Sequence, residues 1–223
     1  MCILIALLNS HPQFPAIFIH IREEDPSRPT SQFGVQPPSL VCAVDQRAGG
    51  TAAAFNPATR RIAFINNLHE PSTQGDTVSR GLVTLEALNT TSDAVSLAEN
   101  SRVNPFQLVT GSVSTGEYDL VVHGATGTSV DRLTGVNVLD NQRGGGIRSR
   151  EVTEVVYHAN FDIEGILQGV ESIMLRPTPG RIISAKAQTV LTVDHVGSVC
   201  MRHRDIYWAS ETPTFSDWVS VST

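Results

Sequence analysis

The chain has 223 residues, 40% of them hydrophobic, and its 16 Lys and Arg against 22 Asp and Glu give a formal charge of −6. This acidic balance argues against a dominant phosphate-binding surface, so nucleic acid is not an expected partner. Three cysteines without C-x-x-C spacing predict neither a disulfide framework nor a zinc ribbon, and reduced thiols fit a cytosolic or mitochondrial interior.

The domain organisation is predicted to be simple. No linker or break in charge divides the sequence, so residues 1–223 are expected to form one domain with a sizeable core. No stretch approaches the roughly 20 apolar residues of a membrane span, so any membrane association is expected to be peripheral.

The first third of the chain is predicted to be nearly all strand. Cys2–Leu8 and Ala16–Ile21 are apolar runs rich in β-branched residues, and the turn residues between them indicate a hairpin. Further strands are predicted at Leu40–Val44, Thr51–Phe55 and Arg61–Ile65, separated by Gly and Pro turns.

The remainder alternates between helical and strand patterns. Helices are predicted at Ser79–Leu88, Ser92–Glu99 and Asp162–Leu175. Strands are predicted at Phe106–Thr110, at Tyr118–His123, near Val136, and in a closing hairpin of Thr189–Val193 with Val199–His203. This order favours an α+β fold, with two helix layers around a sheet sandwich, over a doubly wound parallel sheet.

Two other patterns in the sequence bear on possible ligand binding. The seven histidines are scattered without ligand spacing, so no metal site is predicted. The loop Arg143–Gly146 is interpreted as a mobile loop, and the alternative is a phosphate cradle formed with Arg148 and Arg150.

Cys2 stands where an N-terminal nucleophile would stand. The initiator Met is normally removed before a residue as small as Cys, which leaves a free α-amine. That amine, with a reference pKa of about 7.7–8.0, can accept the proton of its own thiol. Arg22 could favour the thiolate and Glu23 could orient the amine. The alternative is a buried structural cysteine with a solvated Arg22 and Glu23 ion pair.

Motifs along essentially the whole chain resemble one family. They are Met1-Cys2-Ile3-Leu4, Arg22-Glu23-Glu24, Ser27-Arg28-Pro29-Thr30, Gly49-Gly50-Thr51, Asn67, Ser79-Arg80-Gly81-Leu82-Val83, Asn104-Pro105-Phe106-Gln107-Leu108, Asn137 and Gln188–Asp194. Their order and spacing resemble the transport and Golgi organisation 2 family, also called the NRDE family after its Asn-Arg-Asp-Glu signature.

The resemblance implies a four-layer αββα sandwich of the N-terminal-nucleophile hydrolase type. It also implies a site in which Cys2 is the nucleophile, Arg22 its electrostatic partner, and Asn67 and Asn137 donors to an oxyanion or substrate. Lys186 occupies the place of an expected Arg.

Four positions depart from the family pattern. Ile21 replaces the signature Asn, Glu23 replaces Asp, Ala52 replaces a Trp, and Lys186 lacks the fork of a guanidinium. Since catalytic geometry tolerates little displacement, these changes predict a weak hydrolase or none.

The sequence is compatible with three functional hypotheses. The leading hypothesis is a pocket that handles a small hydrophobic or acylated cargo, such as haem or acyl-CoA, with no resident cofactor. The family links this to Golgi organisation and secretion, in a cytoplasmic, Golgi-associated or mitochondrial setting. The competing hypothesis is an active cysteine amidohydrolase that cleaves a C–N bond. The third is an interaction scaffold with an inactive pocket.

Overall fold

A computed structural model describes residues 2–70, 77–174, 183–208 and 213–223. Over these residues the chain forms fourteen strands and four helices. In chain order they are β1 (Ile3–Leu8), β2 (Ala16–Glu24), β3 (Gly34–Gln36), β4 (Leu40–Cys42), β5 (Ala53–Asn56), β6 (Arg61–Asn67), α1 (Arg80–Ala87), α2 (Thr91–Asn100), β7 (Phe106–Ser112), β8 (Glu117–Gly124), β9 (Gly127–Arg132), β10 (Val136–Leu139), α3 (Ile147–His158), α4 (Ile163–Val170), β11 (Ser184–Val193), β12 (Val199–Trp208), β13 (Pro213–Phe215) and β14 (Val219–Ser222).

The strands form two sheets. The first has the order β10-β1-β2-β11-β12-β13, and β14 also pairs with β12. The second runs in simple sequence order from β3 to β9. The described strand pairs are all antiparallel. The predicted α+β class is therefore confirmed, and the sheets are antiparallel rather than parallel.

The opening hairpin forms as predicted and lies inside the first sheet. Ile3 pairs with Ile21 and Leu8 with Ala16. β2 continues past Ile21 to Glu24 because its other edge pairs with β11, where Ser184 lies opposite Glu24. The hairpin is therefore covered on both edges, by β10 and β11.

Alternation along β1 and β2 divides their side chains between two hydrophobic clusters. One cluster joins the two sheets and includes Leu4, Phe18 and Phe64. The second joins the opposite face of the first sheet to α3 and α4, and includes Ile3. A third cluster joins the second sheet to α1 and α2, for example through Val83. Each sheet is thus buried on both faces.

The helices agree with the sequence patterns in three of four cases. The first two predicted helices are observed as α1 and α2, with ends shifted by a residue. α4 ends at Val170 rather than at Leu175, which lies outside the described residues. α3 was not predicted, because its Val and Thr residues favour strands in isolation. Its N-terminus is capped from a distance by Asp140 Oδ2, which accepts from the amides of Gly146 and Ser149.

Four short strands escaped prediction. β3, β13 and β14 have three or four residues each, too few to show alternation. β9 is a largely exposed edge strand of polar composition, and it is held by pairing with β8. All four lie at sheet edges.

The helices among the described residues contain 8 to 12 residues each. None is long and apolar enough to cross a membrane, since a crossing needs about 20 residues.

Candidate active site

A cavity of about 380 Å³ opens at the end of the hairpin that carries Cys2. Its walls come from four parts of the chain: the end of β2, the loop before β5, the end of β6, and the segment that leads into α1. Because two of these segments are strand ends, the antiparallel register helps to decide which side chains meet there.

Cys2 lies one residue before the pair formed by Ile3 and Ile21, and therefore opposite Arg22. Both residues line the cavity. Cys2 is 5% exposed, and its Sγ lies 3.9 Å from the carbonyl oxygen of Glu23. Arg22 donates through Nη1 to Thr30 Oγ1 at 2.8 Å, so its guanidinium is held in place.

On the other side of Cys2 lies Asn141. β10 pairs with β1 through Leu139 and Leu4, so the residue two beyond Leu139 falls opposite Cys2. The backbone nitrogen of Cys2 donates to Asn141 Oδ1 at 2.9 Å, and Asn141 Nδ2 donates to the carbonyl oxygen of Asn67. Asn141 is only 3% exposed, so this contact is well shielded from water.

Several interactions act in opposite directions on the pKa of the Cys2 thiol. Burial raises the pKa of Cys2, whereas a bond to the Glu23 backbone and the positive charge of Arg22 lower it. The balance leaves the pKa above its ordinary value, so thiolate formation in this chain needs a nearby base.

One wall of the cavity depends on close contact between two glycines. A Cβ atom at Gly50 would lie 2.4 Å from the carbonyl carbon of Gly81, which no side chain can tolerate. The Thr51 amide donates to the Gly81 carbonyl oxygen at 3.1 Å. This contact brings the first residue of α1, Arg80, to the cavity.

A family model described as Transport and Golgi organisation 2 matches residues 1–143, which is more than half of the 223 residues. The chain belongs to the transport and Golgi organisation 2 family. The resemblance seen in the sequence is thereby confirmed. No curated protein sequence gives a significant match to the chain.

The family match includes Cys2, Arg22 and Asn67, and the structure brings these three residues to one cavity. Asn67 is the last residue of β6. Its carbonyl holds Asn141, and the residue itself lines the cavity.

Asn137 lies elsewhere, although it was expected among the site donors. It pairs with Ala6, four residues along β1 from Cys2 and therefore about 13 Å away along the strand. Its side chain donates to the carbonyl oxygens of Thr134 and Gly135. The asparagine beside Cys2 is Asn141, which the sequence reasoning missed.

Glu23 contributes its carbonyl oxygen to the thiol, while its side chain lies on the helix-facing side of the sheet. The carboxylate accepts from both terminal nitrogens of Arg148 on α3, one of them at 2.8 Å. Glu is one methylene longer than the signature Asp, and its carboxylate therefore lies where Arg148 can pair with it. The alternative of Arg148 as part of a phosphate cradle does not fit this pairing.

Lys186 lies outside the family match and outside this cavity. It is the extra residue of a bulge in β11, where Ala185 pairs with Glu23 and Ala187 with Arg22. Its Nζ donates to the carbonyl oxygens of Pro26 and Arg28. Burial lowers its pKa, and so does the charge of Arg22. Lys186 therefore supports the loop that carries Arg28.

The two remaining departures from the family pattern differ in their position. Ile21 is fully buried in the cluster between the first sheet and the helices, so its side chain does not reach the cavity. Ala52 does line the cavity, and its small side chain leaves room there.

Metal chemistry has no evident ligand set in the described ranges. No group of three or more His, Cys, Asp or Glu residues within them is placed to hold an ion.

Proposed function

We propose that the chain is an N-terminal cysteine amidohydrolase that acts on a small polar molecule. The observation that carries this proposal is the convergence of Cys2, Arg22 and Asn67 at one cavity, together with the bond from the Cys2 nitrogen to Asn141. Two of the four departures from the family pattern, Ile21 and Lys186, lie away from that cavity, so they weigh less against hydrolysis than the sequence alone suggested.

Removal of Met1 would free the amine of Cys2, which Asn141 Oδ1 already orients through the same nitrogen. The amine takes the thiol proton, and Sγ attacks the amide carbonyl carbon. The negative charge on the carbonyl oxygen is stabilised by the Asn67 side-chain amide. The C–N bond then breaks, the leaving amine takes the proton, and a thioester remains on Cys2. Water hydrolyses the thioester, which releases a carboxylic acid and restores the thiol.

The wider fold supports the same proposal. We infer that residues 1–223 form one domain with the αββα order of N-terminal-nucleophile hydrolases. The three hydrophobic clusters support this order, since each joins one pair of adjacent layers. The pairing of β11 with β2 supports one domain, because it joins the C-terminal strands to the opening hairpin.

The test begins with intact-mass measurement of the protein from its own host, and the expected mass lacks Met1. Processed protein is then incubated with a panel of small N-acyl amides, and release of the amine is followed by mass spectrometry. Cys2→Ala is expected to abolish release. Cys42→Ala, which removes another buried thiol, is expected to leave it unchanged. Retained Met1, or equal turnover by Cys2→Ala, would refute the proposal.

A second function is favoured by a separate groove of about 600 Å³ beside Lys186. Its apolar lining includes Pro26, Pro29, Ile206, Tyr207 and Trp208. This lining suits the small hydrophobic or acylated cargo considered from the sequence, including haem or acyl-CoA. Quenching of tryptophan fluorescence by haemin or an acyl-CoA tests this function. Titrations that leave the emission of wild type and Trp208→Phe unchanged would exclude the groove as a carrier site.

The cellular role follows the family in this proposal. A contribution to Golgi organisation or secretion would place the protein in the cytoplasm or at the Golgi surface by peripheral association. Fractionation of tagged protein from its own host, with a mitochondrial marker alongside, tests that location.

A further inference from the structure

The Cys2 cavity carries an excess of positive charge in an otherwise acidic protein. Its lining includes four cationic side chains: Arg22, Arg28, Arg47 and Arg80. The acidic residues in the lining are Glu23, Glu24 and Asp45, and the Glu23 carboxylate is paired with Arg148 behind the sheet. Four cations therefore face two carboxylates, in a chain whose formal charge is −6. Such a cavity concentrates anions.

The two cavity carboxylates do not neutralise these arginines evenly. Asp45 Oδ2 accepts from Arg28 Nε at 2.6 Å. Glu24 lies 3.9 Å from Arg22 and 4.0 Å from Arg28, which exceeds hydrogen-bond distance. Arg80 forms no ion pair with any described residue, and its Nη1 donates to the Pro105 carbonyl oxygen at 3.2 Å. Arg47 also lacks a described ion pair but is exposed, so Arg80 is the least compensated of the partly buried arginines at the cavity.

Burial and the neighbouring Arg28 charge both lower the pKa of Arg80, whereas Cys2 and Glu24 act in the opposite direction. Arg28, Arg80 and Cys2 all line the same cavity. A ligand anion between the two guanidinium groups would remove their mutual repulsion.

The backbone at Arg80 reinforces this charge. Arg80 opens α1, whose N-cap residue Ser79 makes no side-chain cap bond and whose first turn contains no acidic residue. Ser79 and Gly81 also line the cavity. The partial positive charge of the helix start therefore adds to that of the Arg80 side chain.

We propose that the substrate of the Cys2 site carries a carboxylate or phosphate group, and that Arg80 and Arg28 bind this group while the amide carbonyl lies at Cys2 Sγ. This inference rests on the proposed amidohydrolase function and names its substrate class. A guanidinium fork binds either anion through two parallel hydrogen bonds, and the cavity of about 380 Å³ limits the ligand to a small molecule.

The test compares three probes that share a hexanoyl amide: N-hexanoylglycine, N-hexanoylphosphoethanolamine and the neutral N-hexanoylglycinamide. Dissociation constants are measured by calorimetry with Cys2→Ala, so binding is read without turnover. At least one anionic probe is expected to bind about tenfold or more tightly than the neutral one. The first two probes distinguish a carboxylate from a phosphate preference.

Arg80→Gln in the same background is expected to remove the preference while leaving binding of the neutral probe unchanged. Arg80→Lys retains the charge and is expected to keep part of the preference. Arg150→Gln, an exposed arginine on α3, is the matched control and should keep all of it. Circular dichroism verifies that each variant is folded.

The two proposals fail in different ways. Equal affinity for the three probes, or a preference that survives in folded Arg80→Gln, would overturn the anion site whether or not the enzyme is active. Tight binding of an anionic probe without turnover by processed wild type would uphold the anion site and count against the hydrolase.

Discussion

The two faces of the first sheet differ sharply where β2 ends. Arg22 and Glu24 face the cavity and the second sheet, and their side chains are 14% and 26% exposed. Glu23, between them, faces the helices and has a side chain that is 0% exposed. Three consecutive charged residues thus occupy two different environments, because successive side chains of a strand point to opposite faces.

The two faces of the sheet therefore contribute differently, one to the stability of the fold and the other to the chemistry of the cavity. On the helix side, a carboxylate and a guanidinium neutralise each other and tie α3 to the sheet. On the cavity side, arginines outnumber carboxylates and Arg80 has no described ion-pair partner. Charges left uncompensated are costly to a fold, so they are expected where a ligand uses them.

Glu23→Gln should produce the largest change in stability. It leaves the Arg148 guanidinium, 19% exposed, without its carboxylate, so the free energy of unfolding should fall by about 3 kcal/mol. Glu24→Gln, on the next residue, should cost less than about 1 kcal/mol because its ion pairs are long and solvated. Urea unfolding of both variants measures the contrast. Equal losses would show that the two faces do not differ as described.

His20 provides the second largest effect, and it depends on pH. His20 is 1% exposed, its Nε2 lies 3.1 Å from Asn66 Oδ1, and burial lowers its pKa from 6.5 to about 4. Between these values the unfolded chain binds more protons than the folded chain. Stability should therefore fall as pH decreases from about 6.5 to about 4, by up to roughly 3 kcal/mol.

Urea unfolding at several pH values measures this dependence. His20→Gln, which does not titrate, should lose less stability over the same interval. His158→Gln removes an exposed histidine and should retain the wild-type slope. If His20→Gln also retains that slope, the buried histidine is not the source of the acid sensitivity.

Features of the fold that depend on near neighbours in sequence could be predicted. The hairpin of β1 and β2 follows from two apolar runs and a short turn, and its register puts Cys2 opposite Arg22. The helices α1 and α2 follow from local spacing of apolar residues. These elements required no knowledge of distant contacts.

Features that depend on contacts between residues distant in sequence could not be predicted. The sequence analysis named Asn137, and only the pairing of Leu139 with Leu4 shows that Asn141, two residues beyond the end of β10, lies opposite Cys2. The bulge at Lys186 is likewise set by a tertiary contact, the pairing of β11 with β2. The anion site was missed because Arg28 and Arg80, about fifty residues apart, come to line one cavity only in the fold.

The two asparagines, Asn137 on β10 and Asn141 two residues beyond its end, offer a direct comparison. Asn141→Ala removes the acceptor that orients the Cys2 nitrogen, so kcat/KM for amide hydrolysis should fall by about 100-fold. Asn137→Ala, at the other end of the strand pair, should change kcat/KM by less than about twofold. Rates are compared per folded molecule. A larger effect at Asn137 than at Asn141 would contradict the assignment of the site.

The smallest expected effect concerns the reactivity of the thiol. Arg22 lowers the pKa of Cys2 against the larger effect of burial, so Arg22→Met should raise that pKa and reduce the thiolate fraction at a given pH. In a chain that also carries Cys42→Ala and Cys200→Ala, only Cys2 reacts with iodoacetamide. The alkylation rate at neutral pH should fall by less than about tenfold, and its pH profile should move to higher pH.

Two control variants accompany this measurement: one keeps the positive charge at position 22, and the other removes a positive charge elsewhere. Arg22→Lys should retain most of the rate, and Arg150→Met, far from the cavity on α3, should retain all of it. A faster reaction in Arg22→Met would mean that the side chain acts mainly by covering the thiol, since loss of a nearby cation alone can only disfavour the thiolate. That outcome would show that Arg22 shields the thiol and does not promote thiolate formation. The amine of Cys2 would then be the main group that takes the thiol proton.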